Sequence, residues 1–437
     1  MVTGSLHQNV QGSRKLLCWK GRSQRMKQLS LAKVRQQFPR PRIDAVEDVI
    51  VQQMQRFAPC VRPGMSVAIT AGSRGINNIP LILKTVVKAL RSMEAKPFLV
   101  ASMGSHGGGT VEGQTQVLRH LGITEDAVCA PLRITSEAVA VGTTPGGHLL
   151  YVDAEAHKAE AIFAINRVKP HTAFQDRLAS GLFKMLTVGL GKVLGATQVH
   201  KLSSSGMYAS IVEMGRLALE KMPVIGGLAI VENGYEETAW VEALLPGEME
   251  EGEKKLLQYA SGLLPRLPVK QVDVLIIEEM GKNFSGTGMD TNVIGRWKAT
   301  GLPEPEWPRI KRIVVLRLSK ESHGNANGLG LVDLTTRNLV DQIDWNATLM
   351  NVRTTGFWDR AFCPPFPGSD YDAIMWALKG MKATEDQSVS VARIRNTLHL
   401  EELWLNEQAF ASAEMCERAS DYIPLLFDEH GNLLPGN

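Results

Sequence analysis

The sequence predicts an α/β fold of two domains, each with a mainly parallel sheet flanked by helices and with the active site in the cleft between them. Three observations predict it. Apolar runs, glycine-rich loops and periodic helical segments alternate from residue 65 to residue 121, the pattern of parallel strands joined by crossover helices. The stretch Leu264-Pro265-Arg266-Leu267-Pro268 reads as a linker, and two more core strands follow it. The 437 residues also exceed what one core usually absorbs.

In chain order, residues 65–70 read as a buried strand, the loop AGSRGINN follows, and 79–93 carry helical periodicity. Residues 97–103 are a second strand, followed by the loop GSHGGGT and a helix over 111–121. Residues 137–152, centred on Pro145-Gly146-Gly147, form a hairpin. A strand at 161–165 leads into an apolar, glycine-punctuated stretch; a helix near 206–221, a strand at 225–231 and a helix at 247–263 complete the first domain. Beyond the linker, 272–278 and 312–318 are core strands of the second. The domains are then a basic, disordered extension at 1–42, an N-terminal domain at 43–266 and a C-terminal domain at 267–437.

Charge and composition narrow the function classes. Lys and Arg number 48 against 45 Asp and Glu, a net +3. Residues 1–42 hold ten of the basic residues and no acidic one, so the remainder carries 38 against 45, or −7. An acidic body makes nucleic acid a poor partner, and the head is expected to be an extension with a working start near Met26. No apolar run reaches the ~20 residues a bilayer requires. Five scattered cysteines, with no CxxC pair, suit a reducing cytoplasm and argue against a cysteine zinc site.

The loops after the carboxyl ends of parallel strands are where α/β proteins place their sites. Arg74 lies in the first such loop, where it is either a surface arginine or a bidentate clamp for carboxylate or phosphate. His106 lies in the second, among glycines, as either an exposed turn residue or a positioned acid–base group. GSHGGGT is no P-loop, because the GxxxxGK[ST] pattern is absent, although a helix start after it offers N–H groups to an anion. Lys184 sits among Leu182, Phe183, Met185 and Leu186, with His171 before it and His200 after it. A lysine there either snorkels to solvent or, desolvated, becomes a nucleophile or covalent anchor. In the second domain GTGMDTNVIGRWK carries Asp290, Asn292 and Lys298, and a later loop carries His323.

The order of these motifs resembles nickel-dependent lactate racemase and its relatives, the nickel-pincer-nucleotide isomerases, over about residues 60–300. The carriers are Arg74 in the first loop and His106 in Gly-Ser-His. Then come His171, Ser180-Gly181-Leu182-Phe183-Lys184 and His200 sixteen residues after the lysine, and finally Asp290-Thr291-Asn292 with Lys298 six residues on. The resemblance implies that Lys184 carries a covalently bound pyridinium-3,5-bisthiocarboxylic acid mononucleotide, joined as a thioamide, with nickel held by the cofactor and by His200. Ser73, Ser180, Gly181, Asp290 and Asn292 would contact the cofactor, and Arg74 with Lys298 would hold the substrate carboxylate. His106 and His171 would be the two bases of a racemase or C2-epimerase of 2-hydroxy acids. One removes the hydroxyl proton while hydride passes from C2 to the cofactor, and the other serves its return to the opposite face. The enzymes that make the cofactor are implied partners. The family's acidic residue before the arginine is missing, the second loop lacks Arg-Pro, and Phe183 stands where an arginine is expected. For the phosphate contact Lys192, Arg177 or backbone N–H groups would substitute. The extra glycines point to a substrate bulkier than lactate, such as a sugar acid. Two other classes fit the residues: a phosphate- or nucleotide-dependent transferase using the glycine loops, and a non-catalytic ligand-binding relative.

Overall fold

The computed structural model of the chain describes residues 29–171, 178, 180–200, 204–299, 301–379, 381 and 388–434, the side chains of residues 200, 204, 205 and 354 excepted. It contains two large sheets. The first has six strands in the order β4-β3-β2-β7-β8-β9: β2 (Ser66–Ala71), β3 (Lys96–Ala101), β4 (Leu132–Arg133), β7 (Ala161–Arg167), β8 (Val224–Glu232) and β9 (Thr238–Leu244). Pairing is parallel from β4 to β8, and β9 adds an antiparallel edge. The hairpin β5 (Ala138–Thr143) and β6 (Leu149–Asp153) stands apart as a two-stranded sheet.

Alternation along the strands explains why both faces are covered. Ile69, Leu99, Phe163 and Ile230 point to one side, onto the helices Val46–Met54 and Ile79–Ser92. Ala68, Phe98, Ile162 and Ala229 point to the other, onto the helices Ser204–Lys221 and Met249–Leu263. Helix Ile79–Ser92 buries Ile79, Ile82, Leu83, Val86, Val87 and Leu90, one stripe at helical spacing.

The second sheet has seven strands. β11 (Arg309–Leu318), β10 (Gln271–Met280) and β12 (Val391–Ile394) are parallel, and β13 (Glu402–Leu405), β1 (Ser30–Gln36), β14 (Cys416–Arg418) and β15 (Ile423–Pro424) extend it in antiparallel fashion. This corrects the expectation of a disordered extension over 1–42. Ser30–Gln36 is a strand between β13 and β14, and it belongs to the sheet of the far domain. Its basic residues concealed a period-two pattern: Leu31, Ala32, Val34 and Gln36 are buried, while Lys33 and Arg35 ion-pair with Glu402 at 3.2 and 3.0 Å. Residues 1–28, including the expected start near Met26, lie outside the described residues. Among the described residues no helix is long and apolar enough to cross a membrane.

The carboxyl ends of the two sheets meet. Arg74, after β2, lies against Gly286, after β10, so that a Cβ on Gly286 would sit 2.9 Å from the guanidinium. Lys169, after β7, ion-pairs with Asp290 at 3.4 Å, and helix Lys192–His200 packs against helix Trp345–Thr355.

Candidate functional site at the meeting of the two sheets

β2 and β3 are adjacent and parallel, so the loops leaving their ends are neighbours. Ser73 and Arg74 from one and His106 from the other thereby touch. His106 Nδ1 hydrogen-bonds Ser73 Oγ, and Arg74 Nη2 lies 3.4 Å from His106 Nε2. A guanidinium only donates, so Nε2 is the accepting nitrogen and the Nδ1 proton goes to Ser73. Ser73 and Arg74 thus fix the orientation of the ring between the two loops.

Lys184 enters after β7, the strand that pairs with the other side of β2. After β7, backbone bonds between Lys169 and Ser180 close the base of a loop, Lys169 N–H donating to Ser180 O at 2.9 Å and Ser180 N–H to Lys169 O at 3.2 Å. One helical turn, Leu182–Lys184, a wider π turn, Met185–Gly189, and helix Lys192–His200 follow. The Lys184 ammonium donates to Ser180 Oγ at 3.4 Å. Crowding by protein lowers its pKa to about 8, and the nearby charge of Arg74 adds to the effect. With a pKa of about 8, roughly a tenth of the amine is uncharged at pH 7, far more than for an ordinary lysine.

From the second domain comes Lys282, just after β10. Its ammonium donates to Gly286 O at 2.6 Å and to Asn351 Oδ1 at 2.9 Å. Crowding lowers its pKa to about 7, followed by the charges of Arg74 and Arg360. Arg360, only 4% exposed, stacks its guanidinium 4.0 Å over the Phe357 ring, and burial lowers it to about 10. Arg74 is lowered first by crowding and second by Arg167. Lys184 and Lys282 nevertheless remain half-buried and Arg74 retains exposed surface. Two like charges ~7 Å apart repel by about 2 kcal/mol at an effective dielectric of ~20, so cations gathered around Arg74 favour a nearby anion.

The remaining expected site residues are placed as follows. His171 is half-buried, and its carbonyl accepts from Asn292 Nδ2 at 3.4 Å. Asp290 caps the short helix Thr291–Ile294, its Oδ1 accepting from the Asn292 backbone and side-chain N–H groups, both at 3.0 Å, while its Oδ2 faces Lys169. Lys298 is exposed, and its ammonium donates to Gly330 O at 2.6 Å. Gly181 is needed for packing: a Cβ there would collide with the Glu253 carboxyl. His200 ends its helix, and its side chain, like Arg177, lies outside the described residues, so the nickel expectation at His200 does too. Among the described residues no three His, Cys, Asp or Glu side chains are grouped to hold a metal ion.

One of the expected phosphate substitutes is corrected. Lys192 is 1% exposed, ion-paired with Asp153 at 2.7 Å and bonded to Ala101 O and Gln114 Oε1, so it is consumed inside the fold. The GSHGGGT loop packs on the start of the helix that follows it. Gly107 carries φ +64, and a Cβ on it would lie 2.5 Å from the Gly113 carbonyl carbon. Thr110 caps the following helix by accepting from Gly113 N–H. Phe183 is fully buried against Gly215, where an arginine could not be solvated.

No family model matches the sequence, and no curated protein does. By structure, the chain is similar to the lactate racemase apoprotein from Thermoanaerobacterium thermosaccharolyticum, at 12% identity and a TM-score of 0.49, with 84% of this chain and 98% of that chain covered.

Lys282, Arg360 and Glu253 were not singled out from the sequence. Lys282 had a usable signal, since it follows a predicted core strand as Arg74 and His106 do. Arg360 follows no predicted strand, and Glu253 sits in a charged helical segment, MEEGEKK, in which nothing distinguishes the one buried glutamate from its exposed neighbours.

Proposed function

We propose that this protein is a racemase or C2-epimerase of 2-hydroxy acids that works with a nickel pincer nucleotide tethered to Lys184. The observation that carries the reading is the nearness of three groups: Arg74, His106 against it, and, within range of the Arg74 charge, an amine of lowered pKa at Lys184. Arg74 orients the substrate carboxylate through paired N–H donors. His106 Nε2 takes the proton of the C2 hydroxyl, and Ser73 fixes the ring that receives it. His171, at the mouth of the β7 loop, is the corresponding base for the opposite face. The residues fit the cofactor in two respects: Lys184 supplies the attachment amine, and Arg74 with Lys282 supplies positive charge for an anionic group. The chemistry that the bound cofactor would supply is reversible hydride acceptance from C2.

The test is direct. Protein co-produced with the cofactor-making enzymes should contain stoichiometric nickel, show a thioamide-linked mass adduct on its Lys184 peptide, and invert C2 of a 2-hydroxy acid. Lys184→Ala should remove the adduct without unfolding the chain. A preparation with neither adduct nor nickel overturns the reading. The transferase reading is weaker, because the GxxxxGK[ST] pattern is absent from the sequence; nucleotide-dependent thermal stabilisation would favour it.

A further inference from the structure

We propose that Lys192, buried with Asp153 and Gln114, is a positioning residue that locks the loop carrying His106 to the segment carrying Lys184. Its service to catalysis rests on the function proposed above; the lock rests on its own geometry.

His106 lies in the loop between β3, which ends at Ala101, and helix Val111–His120. The Lys192 ammonium holds both sides of that loop. It donates to Ala101 O at 2.5 Å, where the loop begins, and to Gln114 Oε1 at 3.2 Å, at the start of the helix beyond. Gln114 Nε2 in turn donates to Gly104 O at 3.3 Å, inside the loop. The ammonium also ion-pairs with Asp153 Oδ2 at 2.7 Å, at the end of β6. The other oxygen of that carboxylate accepts from the Glu155 and Ala156 N–H groups at 2.8 and 3.0 Å. Lys192 itself stands between the π turn that follows Lys184 and the helix that ends at His200. Around it the two segments touch directly: Gly104 N–H donates to Gly189 O at 3.3 Å, and a Cβ on Gly109 would collide with Val193.

Two costs converge on Lys192. Its φ is +53, in the left-handed region where a lysine is strained and a glycine is not. Lys192 and Asp153 are 1% and 0% exposed, and burial lowers the ammonium and raises the carboxyl. A buried ion pair is seldom a net gain over well-packed apolar side chains, so stability does not explain its retention. What a lysine supplies, and an apolar residue cannot, is three directed donors. Here they reach β3, the helix after it and the β5–β6 hairpin at once. The lock therefore fixes the proposed base and the attachment amine relative to each other.

The experiment labels the full chain, free of cofactor, with diethyl pyrocarbonate for histidine and acetic anhydride for lysine, and follows the His106 and Lys184 peptides by mass spectrometry. Lys192→Met combined with Asp153→Asn removes both charges and keeps the oxygen that receives the Glu155 and Ala156 N–H groups. Gln114→Met removes the tie to Gly104 and leaves the ion pair in place. In variants that keep a cooperative urea transition, both residues should be labelled faster by about threefold or more, as local opening becomes easier. The exposed His430 and Lys255 should keep their wild-type rates. Folded variants labelled as wild type overturn the proposal, as does equal acceleration at all four sites. If neither variant folds, the cluster is a stability device and the proposal also falls. In protein loaded with cofactor, Gln114→Met should lower kcat by about tenfold or more with KM within about twofold of wild type. Faster labelling in a protein that turns over no hydroxy acid leaves the lock standing and removes the reaction. A wild-type kcat in a loosened variant keeps the reaction and removes the positioning role.

Discussion

Glu253 and Lys282 place opposite pH dependences in one molecule. Glu253 is 1% exposed, and its Oε2 accepts from Phe183 N–H at 3.1 Å. Burial raises its pKa from 4.5 to about 7, against the lowering effect of the Phe183 and Leu182 N–H groups. The folded chain therefore binds more protons than the unfolded chain between pH 4.5 and 7, and stability falls as pH rises through that window. Glu253→Gln cannot titrate. Denaturation at pH 5 and pH 8 should show the difference between variant and wild type moving in the variant's favour by ~2 kcal/mol. For Lys282, lowered from 10.5 to about 7, and Lys184, lowered to about 8, the sign is reversed. The folded state binds fewer protons above pH 7, so their contribution to stability grows from pH 7 to pH 10. Wild type should thus show a dip in stability near pH 7 that is shallower in Lys282→Met.

The turn at Gly181–Lys184 shows how an element imposes its own residue choice. The Glu253 carboxyl caps its N-terminus by taking the Phe183 N–H, which leaves no room for a Cβ at Gly181. The Phe183 ring then packs on Gly215 in helix Ser204–Lys221. This is why the arginine expected from the resemblance is absent: at this position the side chain faces the core. Phe183→Arg should cost ~3–5 kcal/mol, and Phe183→Leu ~1–2 kcal/mol, read from urea midpoints. An arginine variant as stable as wild type would show that the ring is not a core contact. Nothing in the sequence distinguished the two situations, because Phe183 and Lys184 are adjacent in an apolar run and only the helical turn sends one inward and the other to the recess.

Across the whole molecule the chain crosses between the domains more than once. β1 starts it in the second sheet, and the segment after β1 then passes along the first domain, where Arg40 pairs with Glu237 at 2.6 Å and holds that carboxyl down to about 2. A chain beginning at residue 37 should leave β13 and β14 without their shared partner. Limited proteolysis should then cut beyond residue 267 while 43–266 stays protected, whereas equal protection throughout would show β1 to be dispensable. A split at the 264–268 linker alone should not yield two independent domains, since the second then lacks the strand that β13, β14 and β15 share.

By itself the sequence determined the strand, loop and helix alternation, because period-two and period-3.6 patterns report burial directly. It also supplied Arg74, His106 and Lys184, each after a predicted strand. Tertiary structure alone decided their use. It placed Arg74 on His106 and Gly286, since contacts between loops depend on strand order, which periodicity does not encode. It consumed Lys192 in a buried pair with Asp153, revealed a strand inside a basic segment, and brought Lys282 within range of the Arg74 charge. Charge pairing is a property of distance in space, and the sequence fixes composition without fixing that distance.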